Sequence, residues 1–151
     1  MIPFLDLTIP NDVQEQDASD VLRVAASNTY ILGPETERFE AALAVHEQVK
    51  YAVTVGSGLD ALTFLLLAHG IGPGDEVIVP AHTFIATWLA VTHTGATVVP
   101  VDVDPVSHLL TPEATIEAIT DRTKAVIPVH LYGRSCDMSG FNMVAGMFRI
   151  K

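Results

Sequence analysis

Short apolar runs alternate with longer amphipathic stretches through most of the chain. Residues 51–55, 77–79, 98–101 and 125–130 are rich in β-branched and small apolar side chains, and each has the length of one strand. The stretches around them place apolar residues at helical spacing. The pattern predicts an extended lead-in over 1–10 and a helix over 11–27. Asn11 would cap that helix, and Val13, Val21, Leu22 and Val24 would give it a thin apolar face. A second helix runs from Pro34 towards Gln48, with proline suited to the first turn and Glu35 and Glu37 near its positive end. Further helices are predicted over 58–69, within 82–95, and from a Thr111 cap through Pro112 and Glu113 to about residue 122. Gly70-Ile71-Gly72-Pro73-Gly74-Asp75 is a dense turn signal between elements.

Such alternation means βαβ units: an α/β fold with a parallel sheet covered on both faces and right-handed crossovers. Ligands of these sheets sit at the C-terminal ends of the strands. Those ends are Gly56-Ser57-Gly58, Pro80-Ala81-His82-Thr83-Phe84, Asp102-Val103-Asp104 and His130-Leu131-Tyr132-Gly133. After Gly133 the alternation stops. Residues 140–151 show no clean period and no cap, so 139–151 reads as an atypical tail and the chain is expected to end before its domain does.

The stretch richest in chemistry is Val53-Thr54-Val55-Gly56-Ser57-Gly58-Leu59-Asp60-Ala61-Leu62, read as strand, tight turn and helix. Glycine permits the sharp turn and removes a side chain that would hold a ligand off. The first helical N–H groups have no intrahelical partner, and with the helix dipole they suit a phosphate. Ser57 can cap the helix or bond the anion. A turn that binds nothing is the plain alternative. Gly56, Gly58 and Ala61 also fit a dinucleotide-binding G-x-G-x-x-G/A pattern, which wants an acid about 20 residues on. Glu76 stands at that count but starts its strand. No Gly-Lys-Ser/Thr follows, so this is not a P-loop.

Composition narrows the field. At 151 residues the chain suits one domain with a real core. Its 49% hydrophobic content and mean hydropathy of +0.37 imply buried elements and a surface that takes a partner. No apolar run approaches the ~20 residues that span a bilayer. Met1-Ile2-Pro3-Phe4-Leu5-Asp6 has neither a basic region nor a cleavage site, so a cytoplasmic location is expected. The net charge of −10, from 18 acids and 8 Lys and Arg, argues against nucleic acid or an anionic membrane as partner. Cys136 is the single cysteine and reads as an ordinary thiol, and the six histidines show no metal-ligand spacing.

Several segments, taken in order, resemble the DegT/DnrJ/EryC1/StrS family of pyridoxal-phosphate-dependent sugar aminotransferases. They are Pro3-Phe4-Leu5-Asp6-Leu7, Leu32-Gly33-Pro34-Glu35 with Phe39-Glu40, Ser57-Gly58-Leu59-Asp60-Ala61-Leu62, and Gly72-Pro73-Gly74-Asp75-Glu76-Val77-Ile78-Val79-Pro80. His82-Thr83-Phe84-Ile85-Ala86-Thr87, Gly95-Ala96, Val101-Asp102-Val103-Asp104 and Pro128-Val129-His130-Leu131-Tyr132-Gly133 follow. The resemblance spans residues 1–138. Thr87-Trp88-Leu89-Ala90 and His130-Leu131-Tyr132-Gly133 look most like members acting on 3-keto nucleotide sugars.

The resemblance implies an incomplete, three-layer, mostly parallel sheet: the N-terminal part of the large domain of fold-type I pyridoxal-phosphate enzymes. It implies transamination of a keto-sugar nucleotide with an amino-acid donor. Backbone N–H groups of Gly58 and Leu59, with Ser57, would hold the phosphate of pyridoxal 5'-phosphate, and Phe84 would lie against its pyridine ring. Read without the family, Phe84 is a core residue. Trp88 reads as core or rim. Asp60 should point aside, because a carboxylate facing inward would repel phosphate. Asp102 and Asp104 shape a turn, and His130 is a hydrogen-bonded histidine near the sheet edge.

The family's chemistry also needs a lysine that bonds covalently to the cofactor and an acid paired with the pyridinium nitrogen. No residue here matches either. Lys50 and Lys124 precede strands, and Lys151 is terminal. The expectation is a truncated or frame-shifted, inactive form with no catalytic residue, homo-oligomeric or aggregation-prone through an open sheet edge. The other readings are the dinucleotide-binding module and a non-catalytic fragment that folds with a partner chain.

Overall fold

Val77, Ile78 and Val79 are fully buried at the centre of β1 (Glu76–Pro80). A run with no polar position fits a strand covered on both faces. β1 is flanked by β2 (Thr97–Val101) and β3 (Thr123–Val126), both parallel to it, in the order β2-β1-β3. Val77 pairs with Val98 on one side and Ala125 on the other. In this computed structural model residues 8–151 are described, in two compact units divided between residues 54 and 55.

Within 55–151, α3 (Gly58–Ala68) and α4 (Ala86–His93) cover one face of the sheet. Leu66, Ala90 and Val91 meet Val77 and Val79 there. On the other face Ile78 meets Leu110 and Phe141, beside α5 (Pro112–Ala118) and α6 (Met138–Phe148). The chain leaves β1 in one direction to reach β2, then crosses back over β1 to β3. Helices on opposite faces are what a single crossover hand requires for that path. The expected three-layer, mostly parallel α/β fold is the fold observed.

Beyond β3, α6 returns the chain alongside the sheet. The Lys151 N–H donates to the Lys124 carbonyl, and the Lys151 carbonyl accepts from the Val126 N–H, both at 2.9 Å. These two bonds flank Ala125 and extend the parallel hydrogen-bond pattern past the edge of β3. An apolar cavity of about 230 Å³ lies beside β3, lined by Leu62, Leu65, Leu66, Ile71, Ala125 and Ile127 among others.

The unit over residues 8–54 holds α1 (Asn11–Ser27) and α2 (Pro34–His46). Neither helix has a buried residue, and Val21 and Leu22 are about two-thirds exposed. Arg23 pairs with Asp20 and Glu35, and Arg38 also reaches Glu35. Pro34 occupies the first turn as expected.

Five sequence expectations need correction. The strand expected over 125–130 runs instead over Thr123–Val126. Asn11 is the first helical residue and Pro10 holds the cap position, with no side-chain cap bond. Residues 51–55 form no strand: the Thr54 N–H and hydroxyl both bond Glu40 Oε1, at 2.7 and 2.8 Å, and no strand among the described residues pairs with them. The helix begun at Thr111 ends at Ala118, well short of residue 122. The stretch after Gly133 is capped and helical: Asp137 accepts the Gly140 N–H at 3.0 Å, and α6 buries Gly140, Phe141 and Val144. The lead-in motif over 3–7 lies outside the described residues.

Candidate functional site

Ser57 is the N-cap of α3. Its backbone is extended, its Oγ accepts the Asp60 N–H at 3.1 Å, and the same hydroxyl donates to Asp60 Oδ2 at 2.9 Å. The N–H groups of Gly58 and Leu59 are the first two of the helix and have no intrahelical acceptor. A Cβ built on Gly58 would meet nothing within 4 Å, so the space before this turn is open. A Cβ on Gly56 would lie 2.8 Å from Asp60 Oδ2. Asp60 therefore does not point aside: its carboxylate folds back over the turn, drawn by the Ser57 hydroxyl and the positive end of the helix.

Phe84 lies on the segment that follows β1 and is 76% exposed. The reading of Phe84 as core is overturned. Trp88 is half-buried against the core, and its Nε1 donates to the Pro80 carbonyl at 3.1 Å, tying α4 to the end of β1. Thr83 and Thr87 share a 3.0 Å hydroxyl bond across the start of that helix.

The loops after the strands carry titratable groups. Asp104 Oδ1 accepts from the Ser107 N–H at 2.7 Å and the Val106 N–H at 3.1 Å, so it shapes the turn as expected. The Ser107 bond leads the causes that hold its carboxyl below the usual range, with a smaller contribution from His108. His130 Nδ1 accepts from the Cys136 N–H at 3.0 Å, the satisfied histidine that was expected. The Cys136 thiol is buried, donates to the Val129 carbonyl at 3.3 Å, and is pushed up by burial.

One group was not legible in the chain. His82, His108 and Tyr132 bring their rings together, and His82 Nε2 lies 3.0 Å from Tyr132 Oη. The strand-end rule marks 80–84 and 130–133, but His108 sits four residues beyond Asp104, past the segment that rule picks out. No group of three or more His, Cys, Asp or Glu among the described residues could hold a metal.

Glu76 begins β1 and is buried. It is held by Arg122, with Nε at 2.9 Å, and by the Thr120 hydroxyl. Thr120 first and Arg122 next keep its carboxyl below the usual range. It sits at the strand end away from Pro80 and is already engaged, which removes the acid that the dinucleotide reading needs. Lys124 and Lys151 lie together at that same end, and Lys50 rests over the Tyr51 ring at 5.0 Å in the other unit.

Comparison with known proteins bears on this arrangement. Residues 11–151 match the model of the DegT/DnrJ/EryC1/StrS aminotransferase family, a match that takes in α6. The chain is 50% identical, over 95% of its length, to the erythromycin biosynthesis sensory transduction protein EryC1 of Saccharopolyspora erythraea, of which it covers 40%. It is 48% identical to the dTDP-3-amino-3,4,6-trideoxy-alpha-D-glucose transaminase of Streptomyces venezuelae, covering 95% of this chain and 38% of that one. Among solved structures, S. venezuelae DesV in complex with a ketimine intermediate superposes with a TM-score of 0.93 at 47% identity, over 99% of this chain and 40% of DesV. The Bacillus subtilis NtdA structure with bound cofactor PMP also gives 0.93, at 38% identity, over 99% of this chain and 35% of NtdA. The chain thus spans about 40% of the length of the curated relatives it matches, and its fold is part of the fold-type I pyridoxal-phosphate aminotransferase fold. With eight family segments in order and a match that runs to its last residue, the chain belongs to the DegT/DnrJ/EryC1/StrS aminotransferase family.

Proposed function

We propose that residues 55–151 are the cofactor-docking portion of a pyridoxal-phosphate-dependent aminotransferase that acts on a keto-sugar nucleotide in amino-sugar biosynthesis, with an amino acid as nitrogen donor. The observation that carries this is the turn before α3: a capped helix N-terminus, two N–H groups without intrahelical acceptors, and open space over Gly58. These residues fit a phosphate, provided that the Asp60 carboxylate turns away from Gly56. Phe84, exposed at the end of the central strand, fits a group that takes a flat ring. The transaminase activities named for relatives of this chain support the sugar-nucleotide substrate.

When bound, pyridoxal phosphate supplies an electron sink for moving an amino group. Ser57, Gly58 and Leu59 would grip its phosphate, and Phe84 would orient its ring. Lys124 and Lys151 do not complete such a site. They stand at the end of the sheet opposite the loops after the strands, and Lys50 precedes the turn in the other unit. We therefore infer that these 151 residues dock the cofactor and do not transaminate by themselves.

Equilibrium dialysis against pyridoxal 5'-phosphate tests the docking. Saturable binding is expected, and Phe84→Ala should weaken it by about 2- to 10-fold, the value of an offset ring stack. Absence of saturable binding overturns the docking. Turnover of a keto-sugar nucleotide, with a borohydride-reduced adduct on one lysine, overturns the inactivity.

A further inference from the structure

A phenylalanine ring left in water forgoes the gain of burial, yet the backbone that presents Phe84 to solvent is tied down on both sides. The segment in question leaves β1 at Pro80 and enters α4 at Ala86. At its start the Ala81 N–H donates to the Val101 carbonyl at 2.8 Å, which carries the strand ladder one step past β1. His82 Nε2 shares a 3.0 Å hydrogen bond with Tyr132 Oη, and the Thr83 hydroxyl shares one of 3.0 Å with Thr87. At its end the Phe84 carbonyl accepts the Thr87 N–H at 3.1 Å. The Ile85 carbonyl accepts the N–H groups of Trp88 and Leu89, both at 3.0 Å.

Trp88 closes this loop at its base. Its indole is half-buried against the core cluster that contains Val77, Val79, Ala90 and Val91. Its Nε1 donates to the carbonyl of Pro80 at 3.1 Å, and Pro80 is fully buried. That bond joins the last residue of β1 to the first turn of α4, eight residues further on. Packing alone asks for no donor at this position; the indole N–H adds one where a buried carbonyl needs it. The two ends of the 81–87 loop are thereby fixed to one point.

A side chain already held in its binding position loses less freedom when a ligand arrives, so a fixed loop makes a better ring platform than a mobile one. We propose that Trp88 is a positioning residue: by closing the 81–87 loop on the Pro80 carbonyl it holds Phe84 ready for a flat heteroaromatic ring. The tie itself stands without the cofactor reading; the pyridine ring as ligand rests on that reading. Trp88 acts through Phe84, so removing its N–H cannot weaken ring binding more than removing the Phe84 ring does.

Two measurements on the full chain test this. The first is NMR relaxation with no ligand present. Backbone order parameters of residues 82–85 should lie near the ~0.85 of rigid backbone, and should fall towards ~0.6 in Trp88→Phe, which keeps an aromatic ring and removes the N–H. The second is equilibrium dialysis against pyridoxal 5'-phosphate. Trp88→Phe should weaken binding about threefold, within the value of an offset ring stack. In a Phe84→Ala background the same substitution should add nothing, as a double-mutant cycle reads. Circular dichroism checks the fold of Trp88→Phe. Thr83→Val, which removes the hydroxyl tie to Thr87 on the same loop, serves with the same expectations if that variant does not fold.

Order parameters already low in the unaltered chain, or unchanged in Trp88→Phe, overturn the positioning role. So does an equal weakening with and without the Phe84 ring, which is what a purely structural tryptophan gives. Absence of saturable pyridoxal 5'-phosphate binding by the unaltered chain overturns the cofactor reading instead, and the order parameters then decide the positioning role alone.

Discussion

Ser57 does two things with one oxygen. It accepts the Asp60 N–H and donates to the Asp60 carboxylate, so it both caps α3 and holds an acid over the turn. Ser57→Ala should cost about 1 kcal/mol of stability, the usual value of a lost cap, measured by urea unfolding; Ser57→Thr should restore most of it. The cap was legible from Ser57 standing between two glycines ahead of an apolar run. The direction of Asp60 was not, because the attraction of a helix N-terminus for a carboxylate competes with the repulsion argued from an incoming phosphate. Phe84 shows the converse limit. Its hydrophobicity pointed to the core, yet burial depends on what the fold places around a side chain, and here the ring faces solvent.

At the scale of elements, hydrophobic pattern found what packing fixes and missed what packing disguises. The buried run 77–79 became β1, and Thr111-Pro112-Glu113 opened α5 as its cap signal required. By contrast, α6 exposes Met143 and Met147 on its outer face while burying Phe141 and Val144, so apolar residues lie all round and blur the helical period. Its cap residue, Asp137, stands just before the stretch that looked irregular. Residues 51–55 have strand composition, but Thr54 bonds to the Glu40 side chain and no strand among the described residues pairs with them. Composition describes a strand's surface and not its partner. The α5–α6 contact gives a sharp test. A Cβ on Gly140 would stand 2.6 Å from Pro112 Cγ and 2.7 Å from Asp137 Oδ2. The proline ring has little freedom to yield, so Gly140→Ala should destabilise by about 1–3 kcal/mol through overpacking, seen as a lower midpoint in thermal unfolding without loss of α3 or β1.

For the molecule as a whole, charge governs the response to pH. Glu40, Glu76 and Asp104 are all held below the usual carboxylate range, chiefly by hydrogen bonds from Thr54, Thr120 and Ser107 respectively. A depressed folded-state pKa contributes stability that is present above the unfolded value near 4 and is lost as pH falls through the folded one. Unfolding free energy should therefore hold from pH 7 to about 5 and drop below about pH 4, with a shallower drop in Glu76→Gln, as denaturant curves across that range would show. On the alkaline side the buried Cys136 thiol, whose pKa is raised, acts in the opposite sense: stability declines as pH climbs past about 8.5. The tie between Trp88 and the Pro80 carbonyl gives the protein an optical handle as well. This is the chain's one tryptophan, and its indole is anchored at the last residue of β1, where the segment leading to His82 and Phe84 begins. Its emission is therefore an intrinsic gauge of whatever happens at that strand end, read without a label and without interference from a second indole.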